Sequence, residues 1–144
     1  MPKPVVWAAT VLLALASLPV HAAPAVKFGD DASQYANDGE CDDGRFAGKG
    51  MTTTPLLSDD VLHDATDCQA AYDAGRLTLR GVADDGTIDF GDDDGEWAND
   101  GECDDMRFVG PGMTTTALID DDIMHDASDC RTAHEAGEIE LRLK

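Results

Sequence analysis

Ala36-Asn37-Asp38-Gly39-Glu40-Cys41-Asp42-Asp43 recurs without a change as Ala98 to Asp105, 62 residues later. The match extends in both directions. Phe28-Gly29-Asp30-Asp31 returns as Phe90-Gly91-Asp92-Asp93, and Met51 to Thr54 return as Met113 to Thr116. His63-Asp64-Ala65 and Asp67-Cys68 return as His125-Asp126-Ala127 and Asp129-Cys130. Residues 28–80 align with 90–142 without a gap, and 33 of the 53 positions are identical. A fixed period of this kind marks a repeated structural unit. The sequence therefore predicts repeat 1 at 28–80, repeat 2 at 90–142, and a linker at 81–89. Asp84-Asp85-Gly86 in that linker is a turn signal, and the segment is too short to act as a flexible tether.

Each repeat holds one early and one late cysteine. Four cysteines permit three pairings. A module that closes on itself pairs Cys41 with Cys68 and Cys103 with Cys130, and pairing across the repeats is the alternative. Closing such a loop contributes about 3–4 kcal/mol in the chain-entropy model. A unit of 53 residues has a small core and needs such a staple.

Residues 1–22 read as a secretory signal peptide. Lys3 gives a positive start, Val5 to Val20 is an apolar run, and Ala22 (or Ala23) suits the cleavage position. The run is broken by Pro19 and is short for a span of about 20 residues. Export places the protein in the periplasm or outside the cell, with no membrane span once the leader is removed, and an oxidising compartment favours disulfides.

Loss of Lys3 leaves nine Lys and Arg against 30 acids, a formal charge of −21. Such self-repulsion opposes a compact state unless something neutralises it. It also argues against nucleic acid and anionic membrane as partners, both of which need basic surfaces. Cations and basic proteins or peptides remain.

Within a repeat the patterns predict a small α+β module with short strands at both ends, an irregular acidic loop and a short helix. Val26 to Phe28 and Leu77 to Arg80 alternate as strands do, as do Thr87 to Phe90 and Ile139 to Leu143. Cys68 to Ala74 and Cys130 to Ala136 read as helices, with Thr66 or Asp67 as N-cap in the first and Gly75 and Gly137 as terminators. A helical turn fits Leu56 to Leu62, after Pro55, and Asn37 to Met51 reads as loop.

The acids form two clusters, Asn37 to Asp43 and Asp59 to Asp67, each ending at or beside a cysteine. A Cys41–Cys68 bridge brings them together. Adjacent carboxylates repel unless protonated or bridged by a cation. Ca²⁺ takes six to eight oxygens in flexible geometry, which suits such a set better than the strict octahedron of Mg²⁺. No EF-hand frame fits around Gly39, Gly86, Gly95 or Gly101. The solvated reading, in which the acids serve only turns, caps and solubility, is the plain alternative.

Asp38-Gly39-Glu40-Cys41 with the later Asp64-Ala65-Thr66-Asp67-Cys68 resembles the Asp/Asn-x-x-Cys and Asp-x-x-Asp-Cys signatures of Lin-12/Notch repeats, which are small extracellular calcium modules. The resemblance covers about ten residues per repeat. It implies that calcium is held by the Asp38 side chain, the Glu40 carbonyl and the Asp64 and Asp67 side chains. In the second copy it implies Asp100, Glu102, Asp126 and Asp129. The Asn-Asp-Gly-Glu-Cys-Asp-Asp pattern is also similar to acidic two-cysteine repeats of exported bacterial proteins of unassigned function.

His63 and His125 supply one imidazole per repeat, where a zinc site usually has more than one His or Cys; an Asp-rich zinc site around the His is the minor alternative, and packing beside the helix or bonding an Asp is the simpler role. Thr52 to Thr54 with His63 and an Asp would be the parts of a hydrolase, but no nucleophile elbow or Gly-rich anion cradle accompanies them. The matched aromatics Tyr35/Trp97 and Phe46/Phe108 are expected in the core around the disulfide. The chain thus reads as an exported, non-enzymatic, calcium-binding interaction module. A metal-independent binder of a basic protein or peptide is the alternative.

Overall fold

The computed structural model describes Met1 and residues 25–143, so the predicted signal peptide lies, Met1 apart, outside the described residues. The chain is a small α+β protein of two similar disulfide-closed modules. In repeat 1, β1 (Phe46–Gly48) pairs antiparallel with β2 (Leu77–Leu79), and helix α1 (Ala65–Asp73) precedes β2. Repeat 2 returns these as β3 (Phe108–Val109), α2 (Ala127–Glu135) and β4 (Glu140–Leu141), with β3 antiparallel to β4. The bridges are Cys41–Cys68 and Cys103–Cys130.

The late segments are strands, but their partners are not the early ones. β2 pairs with Phe46–Gly48 from within the acidic stretch expected to be loop throughout. Gly48 permits this: it sits at φ 138°, and a Cβ there would stand 2.2 Å from the Arg76 carbonyl oxygen. Val26 to Phe28 forms no strand. Its Phe28 ring stacks on Phe46 at 5.6 Å, and the Lys27 N–H donates to the Leu143 carbonyl of the other repeat. In Thr87 to Phe90, only Ile88 forms a single bridge, to Val82.

Both helices begin three residues before the expected start, and Asp64 and Asp126 occupy the N-cap positions without capping by their side chains. The cap is supplied from 35 residues upstream. Asp31 accepts from the Thr66 N–H at 2.8 Å and its hydroxyl at 2.6 Å, while the Asp30 carbonyl takes the Ala65 N–H. Asp93 and Asp92 serve Ser128 and Ala127 alike. This satisfies donors that a helix N-terminus leaves open. At the other end, Gly75 (φ 67°) donates to the Tyr72 carbonyl and Arg76 to Ala71, the paired bonds of a Schellman stop. The expected turn between Leu56 and Leu62 is a single 3₁₀ turn, Ser58–Asp60, matched by Asp120–Asp122.

Each module has its own core of disulfide, buried Phe (46 or 108) and a helix alanine. Tyr35 and Trp97 are not in it; they are 38% and 46% exposed, and Tyr72 packs its ring edge on Phe28 and Phe46 instead. A third cluster, Leu56, Val61, Met106 and Ile123, lies between the modules. Contacts there are reciprocal. Leu57 bridges its own equivalent Ile119, Arg45 Nη1 donates to the Arg142 carbonyl at 2.7 Å, and Arg107 Nη1 to the Arg80 carbonyl at 3.2 Å. The modules are thus related by a pseudo-two-fold axis. The linker is a tight hairpin in which Val82 bridges Ile88 and Ala83 N–H donates to the Thr87 carbonyl.

Candidate metal centre

The Asn37-to-Asp43 loop is shaped by two residues at positive φ, Asn37 (68°) and Gly39 (99°). Asp38 Oδ1 folds back to accept the Glu40 N–H at 3.0 Å. The disulfide then holds this loop against the start of α1. Asp67 Oδ2 accepts the Gly39 N–H at 3.0 Å, and Asp64 Oδ2 accepts the Asp42 N–H at 2.7 Å. Repeat 2 reproduces each bond: Asp100 with Glu102, Asp129 with Gly101, Asp126 with Asp104. These bonds set the loop carrying Asp38 and Glu40 against Asp64 and Asp67 in repeat 1, and the loop carrying Asp100 and Glu102 against Asp126 and Asp129 in repeat 2. The Glu40 and Glu102 carbonyls form no hydrogen bond among the described residues.

Asp64 and Asp126 lie at the bottom of this place, 0% and 1% exposed. Each has one oxygen committed to a backbone N–H and the other, Oδ1, buried without a partner. Asp42 and Asp104 lie beside them, equally buried, with Oδ2 unpartnered. Burial pushes the Asp42 and Asp64 carboxyls up to about 6; the charge on Asp38 adds to both shifts, and those on Asp67 and Asp42 add to that of Asp64. Asp104 rises to about 6 and Asp126 to about 7 for the same reason. Asp60 and Asp122 are also buried, and their charges raise Asp42 and Asp104 further.

Asp42 and Asp104 were not among the ligands implied by the sequence. The next residue, Asp43, shows what could have separated them. Asp43 is paired with Arg45 at 2.6 Å and accepts the Leu62 N–H, as Asp105 pairs with Arg107 at 2.6 Å and accepts from Met124. The repeated Asp-Asp-x-Arg thus assigns its second acid to the arginine and leaves the first without a counter-charge.

The tightest groups of ligating atoms among the described residues, within 4.8 Å, are Cys41, Asp64 and Cys68 and their copies. Those sulfurs are committed to the disulfide, with Asp64 Oδ2 3.4 Å from Cys68 Sγ, so only the carboxylate is available. No three carboxylates come that close among the described residues. The buried unpartnered oxygens fit a hard cation that takes carboxylate, carbonyl and water together.

His63 Nδ1 pairs with Asp30 Oδ1 at 2.5 Å, and His125 with Asp92 at 2.6 Å. The Thr52 and Thr54 hydroxyls bond each other at 3.0 Å. Within repeat 1, the bonded threonines are therefore engaged apart from the His63–Asp30 pair. No helix among the described residues is long and apolar enough to cross a membrane. Comparison with protein-family models, curated proteins and solved structures finds no significant match to this chain.

Proposed function

We propose that this protein is an extracytoplasmic calcium-binding interaction module, with one calcium site in each repeat. The observation that carries the reading is the pair of buried, unpartnered carboxylate oxygens in each module, Asp42 Oδ2 with Asp64 Oδ1 and Asp104 Oδ2 with Asp126 Oδ1. Buried carboxylates without partners cost free energy, and a divalent cation offsets it. Asp38, the Glu40 carbonyl and Asp67 complete the first site, and Asp100, the Glu102 carbonyl and Asp129 the second. The two disulfides suit an oxidising, extracytoplasmic setting.

Ion binding also relieves part of the self-repulsion, since two calcium ions remove four of the 21 excess negative charges of the exported chain. A non-enzymatic role is part of the same proposal. The test is thermal melting and calorimetry of the oxidised protein with calcium and with chelator. A ligand present at 100 times its Kd stabilises the folded state by about 2.7 kcal/mol. Asp64→Asn and Asp126→Asn should each remove one of two calcium ions. A melt unchanged by millimolar calcium would sink the reading and favour a metal-free acidic surface for basic partners.

A further inference from the structure

The repeats diverge most sharply just after the shared Asp-Asp that caps the helix. Ala32-Ser33-Gln34 of repeat 1 is replaced by Asp94-Gly95-Glu96 in repeat 2. In repeat 1 the Ser33 hydroxyl donates to Asp60 Oδ1 at 2.5 Å. In repeat 2 no hydroxyl exists at that place. Asp122, the equivalent of Asp60, is 2% exposed and keeps Oδ2 without a partner.

Asp122 lines a depression of about 340 Å³ whose other polar walls are Asp94, Glu96, Asp121 and His125. Gly95 lines it as well, 3.1 Å from Asp122 Oδ1 measured at the position a Cβ would take. His125 is oriented by Asp92, which accepts from Nδ1. That leaves Nε2 of the neutral ring with its lone pair free. A carboxylate holding the far nitrogen is the usual support of a metal-binding imidazole.

We infer that repeat 2 alone carries an additional divalent-metal site, in which Asp122 and His125, with Asp94, Glu96 and Asp121 from the rim, take a first-row transition ion such as Zn²⁺. Imidazole beside carboxylates favours such an ion over calcium, whose ligands are all oxygens. The rim acids are exposed, and no three ligating groups of this depression already lie within 4.8 Å of one another, so the ion gathers them toward the buried Asp122. Repeat 1 has the same His–Asp pair but lacks both rim acids at 32 and 34, and Ser33 occupies Asp60. The site shares no ligand with the proposed calcium site.

The test is zinc titration by calorimetry and native mass measurement in millimolar calcium, which fills the oxygen sites. One zinc per chain is expected. Asp94→Ala with Gly95→Ser and Glu96→Gln installs the repeat 1 residues and should weaken binding at least tenfold. His125→Gln alone should do the same without altering the calcium-dependent melt. The reverse graft, Ala32→Asp with Ser33→Gly and Gln34→Glu, should add a second zinc, a gain that a folding defect cannot mimic. No zinc uptake in calcium overturns the inference, as does uptake unchanged by the graft and by His125→Gln. Either result leaves the calcium melt, and the reading based on it, to stand or fall separately.

Discussion

Repeat 1 has Gly44 where repeat 2 has Met106, and the two positions meet across the pseudo-two-fold axis. Met106 is fully buried, with Leu56, Val61 and Ile123 around it, and its sulfur lies 2.7 Å from where a Cβ on Gly44 would stand. One module supplies the bulk and the other the space. Two copies of repeat 1 would face each other across a void, and two copies of repeat 2 would collide. The difference teaches that duplication was followed by complementary divergence: each half now fits the other better than itself. Specificity of this kind comes from penalising the wrong pairing as well as favouring the right one.

The largest effect is expected where the halves are still alike. Asp43→Ala and Asp105→Ala each strand a buried arginine that also reaches across the axis, so each should cost about 3–5 kcal/mol by chemical denaturation. Equal costs would confirm that the arginine lock is symmetric, and a large inequality would break that part of the comparison. Met106→Ala comes next, at about 2–5 kcal/mol. Gly44→Ala should cost at most about 1 kcal/mol, because a thioether can move aside. Similar losses from these two would remove the claim that bulk and space are divided between the halves.

The comparison also has a pH form. Asp64 and Asp126 titrate at about 6 and about 7 in the folded protein, against an ordinary 3.8. The folded state therefore holds protons that the unfolded chain releases, and stability falls as pH rises above 3.8. In chelator the fall should level off by about pH 7, once the buried carboxyls of both repeats are ionised. Asp64→Asn and Asp126→Asn should each flatten the melt-against-pH curve. With the proposed calcium sites filled, the slope should reverse. A small effect is also expected at the core aromatics. His134 packs on Phe90 at 5.7 Å where Tyr72 packs on Phe28 at 5.6 Å. His134→Tyr should raise stability by about 0.5–1.5 kcal/mol, and a loss would mean that the two cores have drifted in shape.

The duplication was legible because identity at a constant offset needs no structural knowledge, and the self-closing disulfides followed from it. The strands at Leu77 and Glu140 were legible from alternation. Their partners were not, because Phe46–Gly48 is three residues long and sits among glycines and acids, with no periodicity to read. The helix start was misplaced for a related reason. A cap is sought next to the helix, whereas Asp31 and Asp93 reach it from 35 residues away. In the site, the motif led to Asp38, Glu40, Asp64 and Asp67, but burial of Asp42 depends on the fold of its loop. Tyr35 and Trp97 were misplaced because aromatic character alone does not distinguish a core position from an exposed one.

The reciprocal contacts have a topological consequence. The Asp89 N–H donates to the Gly81 carbonyl where the linker closes, and the Lys27 N–H donates in the same way to the Leu143 carbonyl. The path through the two modules therefore returns to its starting point, and the Val82–Ile88 hairpin occupies one of two equivalent gaps in a ring. A circular permutant that joins Leu143 to Lys27 through a copy of that hairpin, and opens the chain at Asp85, should fold to the same bridges with the modules in reverse order.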